Sequence, residues 1–101
     1  MEALMATYVI LATFTEKGVH SAKDTIDRAD KFKAIARNAG VTVKDIYWTI
    51  GPVDVVSICE APDDETATAL SLSIAARGNV RTQTLRAFSS AEMSKIVGKM
   101  V

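Results

Sequence analysis

The sequence predicts an α+β sandwich in which a four-stranded antiparallel sheet carries two long helices on one face and ends in a short helix. Three observations predict it. Runs rich in β-branched and aromatic residues recur at 7–14, 41–50, 53–60 and 80–88. Apolar residues in the stretches at 22–39 and 63–75 recur instead at three and four, the period of a helix. Glycines at 40, 51 and 78 stand at the joints between these runs. With 101 residues the chain makes one domain, 1–101, and 49% apolar side chains suffice for one small core. Residues 1–4, which precede a second methionine, Met5, are expected to lie outside the fold.

Strand one covers Thr7–Phe14 and is apolar on both faces, with Tyr8, Ile10, Ala12 and Phe14 on one side and Val9 and Leu11 on the other. The residues Thr15, Glu16, Lys17 and Gly18 read as the turn that follows. The first helix carries a stripe of Ala22, Ile26, Ala29, Phe32 or Lys33, Ala36 and Ala39. Two starts are open for it: Ser21 with Asp24 as a variant capping box, or Thr25 as a later cap. Gly40 closes it.

Val41–Ile50 is the second strand, with an irregularity at Lys44 and Asp45 where the alternation slips. Gly51 and Pro52 turn the chain into the third strand, Val53–Glu60, which is again apolar on both faces. Asp63 caps the second helix, whose buried stripe is Ala67, Leu70, Ile74 and Ala75, and Arg77 and Gly78 end it. Val80–Phe88 is the fourth strand. Ser89 and Glu92 form a capping box for a last helix with Met93, Ile96, Val97 and Met100 in one stripe.

The split βαβ order puts the first and third strands at the centre of the sheet and both long helices on one face. Both central strands are apolar on both faces, so one apolar sheet face stays uncovered in a single chain. A second copy packed sheet to sheet covers it, with the last helix adding to the interface.

The segments MATYVILATFTEKGV, KDTIDRADKFKAIARNAGV, IYWTIGPVDVV, EAPDDETATAL and GNVRTQTLRAFSSAEM together resemble the GYD domain family of small bacterial proteins. The resemblance runs from about Met5 to Met100. It implies a ferredoxin-like fold and assembly through the sheet as a dimeric α/β barrel; it implies no activity. Gly51 and Asp54 match the name-giving motif, but Val53 stands where tyrosine is usual, and His20 stands where arginine is common.

Twelve basic and twelve acidic side chains cancel, which removes the electrostatic drive toward nucleic acid or a membrane surface. One cysteine and one histidine argue against a disulfide or a transition-metal site, and glycine-rich cofactor fingerprints are absent; no cofactor is expected. The single cysteine and the lack of a signal-like start suit the cytoplasm.

Each candidate site residue carries two readings. His20, the one side chain that ordinarily titrates near neutrality, is a turn residue or a proton-transfer group partnered by Asp24. Tyr47 and Trp48 alternate across a strand, one toward the core and the other toward a partner or pocket. Asp54 either holds the hairpin turn or points at a pocket mouth. Arg77, Arg81 and Arg86 bind a small anion or pair with the acidic run Glu60–Glu65 of another copy. Cys59 reads as a small core residue. The leading expectation is therefore a self-associating, non-catalytic binding or assembly module, with a small anionic or aromatic ligand a further partner. The alternatives are a small cofactor-independent enzyme, similar in architecture to antibiotic-biosynthesis monooxygenases, using His20, Trp48 or Arg81, and a small-ligand sensor.

Overall fold

A computed structural model describes residues 4–101, so the expectation for the first four residues falls, apart from Leu4, outside the described residues. The strands are β1 (Ala6–Phe14), β2 (Thr42–Trp48), β3 (Val55–Ala61) and β4 (Val80–Ala87). The helices are α1 (Glu16–His20), α2 (Thr25–Asn38), α3 (Asp64–Ala75) and α4 (Ser90–Val97), with a 3-10 turn at Ala22–Asp24. The strands form one antiparallel sheet in the order β2-β3-β1-β4, so β1 and β3 are central, as a ferredoxin-like fold requires.

The expected slip in β2 is present: the register shifts between Val43 and Asp45, leaving Lys44 as the extra residue. Its ammonium lies 3.3 Å from the Glu60 carboxylate. The bulge keeps Val43, Ile46 and Trp48 on the face that the helices cover, while Tyr47 alternates to the other.

Three local expectations need correction. Residues 15–18 do not form a simple turn. The Thr15 hydroxyl accepts from the Gly18 N–H and caps α1. Neither expected cap is used: Ser21 makes no side-chain cap, and Thr25 is the first residue of α2, after the 3-10 turn, with Asp24 at the N-cap and the Thr25 hydroxyl accepting from Trp48. Ile26, expected in the buried stripe, is 64% exposed. A step of three residues falls short of a full helical turn, so a stripe built from such steps drifts around the helix. The face that turns inward is centred on Phe32, Ile35 and Ala36, which leaves Ile26 on its flank.

Core packing is concentrated at one end of the sheet, where Tyr8, Ile10, Cys59 and Ala61 meet Ala36, Val41, Ala67 and Leu70. Cys59 is 1% exposed, and burial pushes its thiol above the ordinary range. The Tyr8 hydroxyl donates to Asp64 Oδ1 over 2.5 Å at the start of α3. Desolvation, and then that hydrogen bond, pushes the phenol up to about 12. Asp63 accepts from the Thr66 N–H, as the cap assignment expects.

On the opposite sheet face, register places Val9 beside Ile58 and Leu85, Leu11 beside Val56, and Val56 beside Tyr47. Among the described residues, α2 and α3 both lie on the other face. Tyr47 and Leu85, on the Val9 face, are 57% and 46% exposed. The capping box of α4 is complete, with Ser89 and Glu92 exchanging bonds, yet α4 contains no buried residue. Bonds from the Ser89 N–H, and then from Arg86, hold the Glu92 carboxyl below the usual range.

Candidate functional site

Toward the end of the sheet away from the packed core, α2, α3 and the sheet line a cleft of about 540 Å³. Small side chains open its floor: Ala12 on β1 and Thr82 on β4 stand where larger residues would fill the space under the helices. Phe14, Phe32 and Trp48 give it aromatic walls. The Trp48 indole N–H donates to Thr25 Oγ1 over 3.0 Å, which fixes the ring against the start of α2. At the inner end, the Ser71 and Thr84 hydroxyls meet at 2.5 Å.

Arg28 is held across the mouth. One guanidinium nitrogen donates to the Ser21 carbonyl over 2.7 Å and to the Ser21 hydroxyl over 2.9 Å, and the other donates to the Gly18 carbonyl over 3.3 Å. Its charge lies 5.9 Å from the centre of the Phe14 ring. The α1 segment that supplies these carbonyls is pinned to the α3–β4 loop. The Thr15 N–H donates to the Asn79 carbonyl, its hydroxyl donates to the Gly78 carbonyl, and Lys17 Nζ donates to the Arg77 carbonyl. Gly78, at φ +88°, makes the reversal after α3.

Three of the residues singled out from the sequence line this cleft: Asp24, Trp48 and Arg77. The other four lie elsewhere. His20 is a surface residue on α1, its Nε2 4.0 Å from Glu16 rather than beside Asp24. Tyr47 and Arg81 belong to the opposite sheet face, across from Val56 and Thr13. Asp54 fastens the hairpin: its carboxylate accepts from the Phe14 N–H over 2.8 Å, and its own N–H donates to the Ala12 carbonyl. Arg86 and Glu60, read as partners across subunits, pair within the chain, Arg86 with Glu92 and Glu60 with Lys44. Arg86 also lies 4.5 Å from the Phe88 ring centre, which ties the start of α4 to the sheet edge.

Arg28 lies outside the apolar stripe that periodicity picks out on this helix, so periodicity alone gives it no role. Its spacing of four from Asp24 was the available signal, because residues so spaced share a helix face. The family model for the GYD domain matches residues 8–97. The chain belongs to the GYD domain family. Among relatives, this GYD domain is 33% identical over 90 residues to a Thermus thermophilus protein named glutamine synthetase and cystathionine beta-lyase binding protein, covering 88% of this chain and 95% of the relative.

Solved structures share the fold. A homoserine dehydrogenase from Thiobacillus denitrificans superposes with a TM-score of 0.55 at 15% identity over 84% of this GYD domain, which spans only 18% of that enzyme. The C-terminal domain of the MgtC protein from Mycobacterium tuberculosis superposes with a TM-score of 0.51 at 10% identity, covering 86% of this chain and 92% of that one. At such identities the likeness concerns the fold alone. Among the described residues, no helix is long and apolar enough to cross a membrane.

Proposed function

We propose that this GYD domain is a non-catalytic, cytoplasmic binding module that self-associates through its open sheet face and docks on metabolic enzymes. The observation that carries the reading is the extent of the Thermus relative: alignment over 95% of its length leaves no second domain there to do the binding that its name describes. Glutamine synthetase and cystathionine β-lyase are therefore the first partners to test.

The apolar row of Val9, Leu11, Val56, Ile58 and Leu85 supports self-association. Strands about 4.8 Å apart and about 3.3 Å per residue give four strands of seven residues a face of roughly 440 Å². A standard interface takes about 800 Å² from each partner, so the sheet needs help. The exposed stripe of Met93, Val97 and Met100 on and after α4 is suited to supply it from each copy.

The test is biolayer interferometry of the immobilised full chain against both enzymes from the source genome, with mass measured by light scattering. Saturable binding of at least one enzyme by a dimeric or larger species is expected. A monomer that binds neither refutes the reading. The cleft supports a second reading, in which a small molecule is sensed or turned over without a cofactor; an inert cleft across a metabolite thermal-shift screen counts against it.

A further inference from the structure

The cleft between α2, α3 and the sheet carries charged side chains of both signs. Asp24 and Arg28 are four residues apart on the α2 side of the cleft, as are Asp27 and Lys31, and Arg77, just past the end of α3, lines the same cleft. In each helical pair the acid precedes the base by four residues, the order that favours an ion pair. Yet among the described residues neither pair comes within salt-bridge distance, and Arg77 has no carboxylate partner. Arg28 turns instead to backbone carbonyls, spending only part of its five donors. Charges of both signs thus stand unpaired above an apolar, aromatic-walled space of about 540 Å³, within the range of small-molecule sites.

A purely anionic ligand would meet Asp24 and Asp27, and a cation would meet Arg28 and Arg77. We propose that the cleft binds a zwitterion with an apolar body, of the class of large apolar α-amino acids. An ammonium and a carboxylate carried on one carbon fit between opposite charges whose Cβ atoms are about 5–6 Å apart. The carboxylate takes the Arg28 and Arg77 forks, the ammonium takes Asp24, and the side chain lies against Phe32 and Trp48. This inference rests on the small-molecule reading of the cleft and is independent of self-association, which concerns the opposite face of the sheet.

Trp48 is the sole tryptophan, so its emission reports the cleft directly. The full chain is titrated with L-phenylalanine, L-leucine and L-methionine, and with 3-phenylpropionate and phenethylamine, each of which lacks one charge of phenylalanine. A saturable emission change is expected with at least one amino acid, and for phenylalanine at least about ten-fold weaker binding when either charge is removed. Asp24→Asn and Arg77→Gln should each weaken binding of the same amino acid by about ten-fold. Both side chains are exposed and, among the described residues, make no hydrogen bond, so the variants keep the fold. No response to any of the three at about 10 mM, equal binding of 3-phenylpropionate and phenylalanine, or unchanged affinity in both variants overturns the proposal.

Discussion

Gly18 sits inside α1 with an ordinary helical backbone, where replacing glycine by alanine normally stabilises by about 1 kcal/mol. The structure reverses that sign. A Cβ on residue 18 would lie 2.0 Å from the Asn79 carbonyl oxygen and 3.0 Å from its carbon, and both are backbone atoms that no rotamer change can move. The α3–β4 loop must retreat by about 1 Å or more to restore ordinary contact. That retreat breaks the Thr15 N–H bond to Asn79 and strains the Thr15 hydroxyl bond to Gly78, at 3.1 and 2.6 Å. Each bond contributes roughly 1 kcal/mol, and a half-buried carbonyl left without a partner costs about 1–3 kcal/mol more. Set against the helical gain, Gly18→Ala should destabilise by about 1–3 kcal/mol, lowering Tm by about 5–15 °C in a domain this size. Urea and thermal unfolding followed by circular dichroism measure it. A Tm equal to or above that of the parent would show that helix propensity prevails and that the α1 contact with the loop is not tight. Because Gly18 also offers its carbonyl to Arg28, the same variant should loosen the mouth of the cleft.

Three further outcomes are expected. Leu85→Lys places an ammonium in each half of the proposed two-fold sheet interface and should raise the dissociation constant of the proposed dimer at least about ten-fold by light scattering, while unfolding of the separated monomer shifts by no more than about 0.5 kcal/mol. Tyr8 holds its proton more tightly in the folded chain than in the unfolded one, so stability is full below pH 10 and falls as pH rises toward about 12; Tyr8→Phe should flatten that alkaline limb in pH-dependent urea melts. Ser89→Ala removes one half of the α4 capping box and should cost about 1 kcal/mol locally, read as faster amide exchange over residues 90–97 with the sheet unchanged.

Much of the fold was legible in the chain because its signals are local. The capping box at Ser89, the cap at Asp63, the slip at Lys44 and the glycine reversals each depend on a few neighbouring residues, and each stands where pattern places it. The start of the first helical region was not legible, since Thr15 caps a one-turn helix whose stability comes from Asn79 and Gly78, more than sixty residues away. The site was legible only in part. Residue type pointed to Trp48, Asp24 and Arg77, but the same reasoning also selected His20, Tyr47, Asp54 and Arg81, which lie outside the cleft.

The sequence by itself determined the order of the strands and the three longer helices, the two-sided apolar character of β1 and β3, and the family, because periodicity and composition encode burial directly. The tertiary structure decided where the empty space is. The cleft lies between α2 and α3 over the small floor residues Ala12 and Thr82, at the end of the sheet that the core does not fill. Such geometry depends on pairs distant in the chain, as does the anchoring on Gly78 and Asn79 of the α1 segment whose carbonyls Arg28 takes in place of Asp24. No local pattern records those pairings, since their energies are set by distances that exist only once the sheet has formed.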